Sequence, residues 1–145
     1  MVVVNRYAKA KPAVAFIRNF GLKKGAIASS VAHDSHNIVA VGASDEEIVA
    51  AINMLIENKG GVVTYSREES AVLPLPVAGL MSADEGEKVA ENYEKADALA
   101  HCLGTTLYAP FMTLAFMSLV VIPDLKLSDK GLFDVKQFGF TSLFE

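Results

Sequence analysis

Two segments with apolar residues at helical spacing constrain the fold more than any other feature of the sequence. They predict one helix over residues 44–59 and a second over residues 83–103. The first is predicted to begin at Ser44 and the second near Ser82, because each serine precedes a glutamate by three residues, the spacing of a capping box. Both helices are amphipathic, so we expect each to cover one face of a sheet.

Short apolar runs around these helices predict the strands of that sheet. The runs are residues 1–7, 25–32, 38–42, 61–66, 71–75 and 138–144. Residues 67–69 are polar and suit a hairpin turn, whereas residues 12–20 and 110–119 each start at a proline that fits the first turn of a helix. The order of elements predicts an α+β or mixed α/β fold, a layered sheet with several antiparallel strands, in a single domain over residues 1–145.

Composition excludes several classes of protein. Apolar residues make up 52% of the chain, enough for a proper core, but no apolar stretch approaches the roughly 20 residues that cross a bilayer. The N-terminus has no signal-peptide pattern, so we expect a cytoplasmic protein that does not bind membranes. The single cysteine, Cys102, excludes a disulfide framework and a cysteine-based zinc site. With a net charge of −4 and scattered basic residues, nucleic-acid binding is not expected.

The densest group of polar side chains lies between two strand-length apolar runs. It comprises Ser29, Ser30, His33, Asp34, Ser35, His36 and Asn37. Two of the chain's three histidines are here, three residues apart and with a carboxylate between them. The flanking runs predict that the cluster forms the tip between two buried strands, a position where binding residues often lie.

Three interpretations of this tip compete. His33, His36 and Asp34 are chemically suitable for zinc, manganese or iron, although two histidines on a turn are few ligands. Alternatively, the histidines contact a substrate or transfer protons near neutral pH. The third interpretation is a plain turn, since Asp, Ser and Asn bond their own backbone. The spacing favours the turn and substrate contact equally, both ahead of metal binding.

Five blocks of sequence resemble the C-terminal region of bacterial and archaeal adenine deaminases. Residues 21–37 are similar to the signature stretch of that region. The resemblance continues in the family's order at residues 73–82, 110–114 and 121–132, and residues 138–145 are similar to the family's usual ending.

The resemblance implies a parent enzyme that converts adenine and water to hypoxanthine and ammonia. Such amidohydrolases bind manganese or iron in an N-terminal (β/α) barrel, where the metal activates the attacking water. The barrel's His-x-His pair is absent here, and the chain has no room for a barrel of roughly 250 residues. We therefore expect a C-terminal accessory domain, excised or separately encoded, that needs no cofactor of its own and does not deaminate adenine alone.

The partner implied by the resemblance is that catalytic barrel, in cis or in trans. His33, Asp34, Ser35, His36 and Asn37 are expected to reach its active-site mouth. Ser29 and Ser30 are candidate substrate contacts, and His33 and His36 are weak metal candidates. In the competing account the tip only fixes the domain interface.

Two alternatives to the accessory role remain open. The first is a related binding or interaction domain that stands alone without catalysis. The second is an independent metal-dependent hydrolase built on His33 and His36, for which one short loop supplies too few ligands. The apolar segments 73–81 and 110–122 make a homodimer plausible, since they would otherwise expose large patches.

Overall fold

A six-stranded antiparallel sheet forms the centre of the structure, a computed structural model that describes residues 1–144. Its strands are β1 (Val2–Val4), β2 (Ala13–Val14), β3 (Ala26–Ser29), β4 (Ile38–Gly42), β5 (Gly61–Tyr65) and β6 (Ser70–Pro74). They lie in the order β2-β1-β4-β3-β5-β6. One edge is short of free pairing sites, because β2 has two residues and follows Pro12, whereas the other edge strand, β6, has five residues and ends at Pro74.

Helices cover both faces of this sheet. They are α1 (Asp45–Glu57), α2 (Gly86–Cys102) and α3 (Pro110–Phe116). Ala26 and Ala28 of β3 pack with α1 on one face, whereas Ile27 packs on the other face in the cluster that includes α2 and α3. Successive residues of a strand point to opposite faces, so a strand buried on both sides reads as a continuous apolar run.

A smaller antiparallel sheet follows α3. It consists of β7 (Leu125–Ser128), β8 (Gly131–Asp134) and β9 (Gly139–Phe140), in that order. The small sheet contacts β1 and β2, and the buried Leu127 joins it to the core on the α2 and α3 face. Among the described residues, no helix is both long and apolar enough to span a membrane.

The α+β class is confirmed, and the two predicted helices differ in how well their starts were located. At α1 the Ser44 hydroxyl accepts from the Glu47 N–H (3.3 Å), as predicted, and also contacts the Glu47 carboxylate (3.1 Å). The second helix begins at Gly86 and has no side-chain cap. The predicted Ser82 cap is wrong, because the Ser82 hydroxyl accepts from the Asp84 N–H (3.1 Å) and closes a local turn instead.

The structure also shows what the two segments that start at a proline and the predicted C-terminal strand form. Residues 12–20 contain only β2, while residues 110–119 contain α3 with Pro110 in its first turn. The strand predicted over 138–144 is reduced to the two residues of β9, and residues 141–144 have no regular structure. Glu145, the end of the family-like block, lies outside the described residues.

A buried hydrogen bond connects the central sheet to α2. The Thr64 hydroxyl in β5 donates to the Ala96 carbonyl oxygen at 2.7 Å, and Thr64 is fully buried. We expect Thr64→Val, which keeps the shape and removes the donor, to lower the free energy of unfolding by about 1 kcal/mol in urea. Thr113→Val is the control, because the partly exposed Thr113 hydroxyl donates to the nearby Ala109 carbonyl oxygen at the start of α3 (2.9 Å), and water can replace this bond. Equal losses in the two variants would contradict this role.

Candidate functional site

The predicted tip connects β3 to β4 at one end of the central sheet, and its first two serines are fixed to the backbone around them. The Ser30 hydroxyl donates to the Gly79 carbonyl oxygen (2.5 Å) and accepts from the Gly61 N–H (2.8 Å). The Ser29 hydroxyl accepts from the Val31 N–H at 3.0 Å. Both serines are 1% exposed, so their hydroxyls hold segments of the chain together, and a substrate-binding role for them stays a prediction.

The outer part of the tip presents its side chains to solvent. Asp34 and Ser35 are exposed, and His33 is half-buried. The His33 ring packs against the Phe116 ring at the end of α3, with 4.8 Å between centroids. This contact holds the imidazole on one side while leaving part of it open.

The inner part of the tip folds back into the protein. Asn37 is 3% exposed, and its side chain accepts from the Arg6 N–H (3.4 Å) and donates to the Ser35 hydroxyl (3.3 Å). His36 has a left-handed backbone (φ 49°), and its N–H donates to the Ala32 carbonyl oxygen at 2.8 Å. The buried Nδ1 of His36 has no hydrogen-bond partner within the described part of the chain.

The tip does not assemble a metal site with neighbouring residues. Across residues 1–144, no three side chains of His, Cys, Asp or Glu are grouped closely enough to hold a metal ion. His33 and His36 therefore have no third protein ligand of these types there.

A cleft of about 270 Å³ separates the tip from the small sheet. His33, Asp34 and Ser35 line one part of it, and the turn between β7 and β8, residues 128–130, lines another. That turn contributes Asp129 and Lys130. The cleft thus combines an imidazole, two carboxylates and an ammonium group from segments almost a hundred residues apart in the sequence.

The segment after β1 holds the tip in place, and the sequence analysis missed its role. Residues 5–7 run beside the tip because Val4 pairs with Ile38 at the start of β4. The Tyr7 hydroxyl donates to the Ser35 carbonyl oxygen at 2.8 Å. This bond fixes the exposed turn of the tip from outside.

The same segment contacts two further loops. The Arg6 guanidinium donates to the Ala78 carbonyl oxygen in the turn that Ser30 also binds. The Asn5 amide donates to the Asp129 carboxylate at 2.8 Å, across 124 residues of sequence. The sequence signal for this role is the run of polar residues directly after a strand, and the apolar pattern alone predicts only the end of that strand.

A buried lysine supports the strand that leads to the cleft. Lys126 in β7 is 5% exposed, and its ammonium donates to the Pro123 and Leu125 carbonyl oxygens at 3.1 Å each. Burial lowers the pKa of Lys126, and the Asp124 carboxylate partly counteracts this effect. Lys126 therefore stabilises the local backbone, and it does not line the cleft.

Comparison with known proteins gives a consistent set of matches. A family model described as the adenine deaminase C-terminal domain matches residues 1–139. The chain is 60% identical over 144 residues to the adenine deaminase of Methanosarcina barkeri, a match that covers 99% of the chain and 26% of that protein. It is 59% identical over 141 residues to the adenine deaminase of a Sulfurovum species, covering 97% of the chain and 26% of that protein.

A more distant relative has the same extent of match. The adenine deaminase of Parabacteroides distasonis is 50% identical over 144 residues, again 99% of the chain and 26% of that protein. The chain thus spans about a quarter of the length of the curated relatives it matches.

Proposed function

The chain belongs to the adenine deaminase C-terminal domain family, and from this membership we propose that it serves as the accessory domain of an adenine deaminase. The intact enzyme would convert adenine and water to hypoxanthine and ammonia. The catalytic barrel, its manganese or iron and the cytoplasmic location are part of the proposal. The match to only 26% of each relative supports placing the barrel outside this chain, in cis or in trans.

The observation that carries an active-site role for this domain is the cleft between the tip and the turn at residues 128–130. Its volume, about 270 Å³, is just below the range of complete small-molecule sites, roughly 300–1,000 Å³. It is also open to solvent along the exposed residues Asp34 and Lys130. These properties favour a cleft that completes a site shared with another domain over one that encloses a substrate alone.

The side chains of the cleft have suitable chemistry for a purine and for water. An imidazole donates or accepts a hydrogen bond near neutral pH, so His33 can order a water molecule or contact a ring nitrogen. The carboxylates of Asp34 and Asp129 accept hydrogen bonds, as an exocyclic amino group requires. In this account the tip closes the active-site mouth against solvent.

The rigid support of the tip is part of the proposal. The Tyr7 bond to Ser35 (2.8 Å) and the Phe116 ring beside His33 (4.8 Å) restrict the tip from two sides. A catalytic or binding group is effective only when neighbouring residues fix its position. His33 is thus the tip residue we expect to contact substrate or its water, and Asn37 is a positioning residue.

The test uses a full-length chimera in which this chain replaces the matched segment of the Methanosarcina barkeri adenine deaminase, to which it is 60% identical. We expect His33→Ala to lower kcat/KM about tenfold, the effect of losing one hydrogen bond of about 1.4 kcal/mol. The control is His101→Ala, since His101 lies in α2 and contacts Asp97 (3.4 Å) and the Thr105 carbonyl oxygen (3.0 Å).

Three outcomes would contradict the proposal. Turnover that His33→Ala leaves unchanged would remove the active-site role of the tip. Equal losses in the His33 and His101 variants, with matching falls in thermal stability, would indicate a structural effect only. Deamination by the isolated chain supplied with manganese or iron would mean that the described domain is a complete enzyme.

A further inference from the structure

Three phenylalanines of the small sheet form a cluster that borders the cleft. The Phe133 ring contacts the Phe138 ring (5.5 Å between centroids) and the Phe140 ring (5.3 Å), both edge to face. Phe133 and Phe140 also line the cleft. Phe138 is 79% exposed and Phe140 is 61% exposed, so this aromatic cluster has an outer surface that no described residue covers.

The backbone of Phe138 adds a second, independent observation. Its φ of 52° lies in the left-handed region, which is unfavourable for a bulky residue and is normally occupied by Gly or Asn. The Asp134 carboxylate shapes this turn by accepting from the Lys136 N–H (2.8 Å) and the Gln137 N–H (3.0 Å). A phenylalanine here costs conformational energy and leaves its ring in water, so the isolated domain gains little from it.

The size of the cluster fits the centre of an interface between domains. Aromatic side chains bury about 150–250 Å² each, so the two exposed rings offer on the order of 300 Å². One side of a stable interface buries roughly 800 Å², and its energy concentrates in a few aromatic residues near the middle. The cleft and the tip directly adjoin the cluster and extend the same surface.

The length of the relatives indicates what covers this surface. The chain matches 26% of the Methanosarcina barkeri adenine deaminase, which leaves about three quarters of that protein outside the match. A domain that is attached to a much larger part of the same protein needs a face that packs against that part. A second copy of the chain has no comparable support, and the experiment below distinguishes the two occupants.

We propose that the aromatic cluster is the anchor by which this domain packs against the larger portion of an adenine deaminase, with the Phe138 ring seated in an apolar pocket there. This inference rests on the proposed function, which supplies the partner. Docking through the cluster places the adjoining cleft at the boundary between the two portions. The same contact that holds the domain therefore also orients His33.

The experiment compares Phe138→Asn in the isolated chain and in the full-length chimera described above. Asparagine tolerates the left-handed backbone, so the midpoint of urea unfolding of the isolated chain is expected to stay the same or rise. In the chimera we expect a larger radius of gyration in X-ray scattering and faster proteolysis at the junction. Tyr108→Asn is the control, because Tyr108 is 98% exposed and lies outside the cluster.

Phe140→Thr provides a second variant, which removes the ring and introduces a β-branched residue that suits a strand such as β9. A chimera that stays compact and resistant to protease with both phenylalanine substitutions would overturn the inference, as would an equal effect of Tyr108→Asn. A dimer of the isolated chain that Phe138→Asn dissociates would also overturn it, since a second copy would then cover the cluster.

Two measurements, the compactness of the chimera and its turnover, test this inference and the proposed function separately. Scattering and proteolysis report whether the domain docks, and neither depends on catalysis. A docked chimera whose turnover is insensitive to His33→Ala would retain the aromatic anchor and reject the active-site role. A chimera that loses turnover with His33→Ala but keeps its compact form with both phenylalanine substitutions would retain the active-site role and reject the aromatic anchor.

Discussion

Gly61→Ala is expected to lower the free energy of unfolding by roughly 3 kcal/mol or more, a large part of the 5–15 kcal/mol that typically stabilises a domain. Gly61 begins β5 with a φ of +145°, and a Cβ placed there would lie 2.1 Å from the Leu73 carbonyl oxygen in the paired strand. Two costs combine: the strained backbone and the collision with backbone atoms, each about 1–3 kcal/mol. Because β5 and β6 pair along five residues, the two strands cannot separate at Gly61 without breaking hydrogen bonds between them.

Urea unfolding monitored by circular dichroism measures this effect. Gly86→Ala is the matched control: a Cβ at Gly86, the first residue of α2, meets no heavy atom within 4 Å. Alanine also restricts the unfolded chain, so the control is expected to be neutral or to stabilise by up to about 1 kcal/mol. A Gly61→Ala protein as stable as the control would show that the pairing of β5 with β6 differs from the geometry described.

Leu114→Ala is expected to cost about 2–5 kcal/mol, the range for truncating a buried leucine. Leu114 is fully buried in α3 and belongs to the core on the α2 and α3 face. The helix that it anchors also carries Phe116, whose ring packs against His33 at 4.8 Å. We therefore expect the variant to loosen the tip as well as to lower stability.

The control for Leu114→Ala lies two residues away in the same helix. Met112 is 57% exposed, so Met112→Ala is expected to change the free energy of unfolding by no more than about 0.5 kcal/mol. Calorimetry gives the stabilities, and the NMR line width of the His33 ring protons reports the mobility of the tip. Equal melting temperatures for the two variants would contradict the assigned packing of α3.

Local sequence patterns correctly predicted those helices and strands whose formation depends on residues close together in the sequence. The strand at 38–42 was located at both ends, and the Ser44 cap of α1 was identified, because hydrophobic periodicity and capping involve residues only a few positions apart. The start of α2 was misplaced because Ser82 fits a capping box and a local turn equally well. Alternating phenylalanines suggested a long final strand, whereas Phe138 belongs to a tight turn.

The candidate site was predicted only in part, for a related reason. The polar tip between β3 and β4 was evident from two apolar runs that flank it. The opposite side of the cleft comes from residues 128–130, and the bond between Asn5 and Asp129 spans 124 residues. Such long-range contacts depend on how the small sheet packs against β1 and β2, which no local pattern encodes.

The short β2 edge of the central sheet has a practical consequence for handling the domain. Strand β2 offers two residues to an incoming strand, and β6 ends at Pro74. Fibrils and amorphous β-aggregates grow when the unpaired N–H and C=O groups of one molecule's edge capture another molecule. In concentrated stocks of the purified domain, strand exchange through the β2 edge is therefore expected to be a minor route of precipitation.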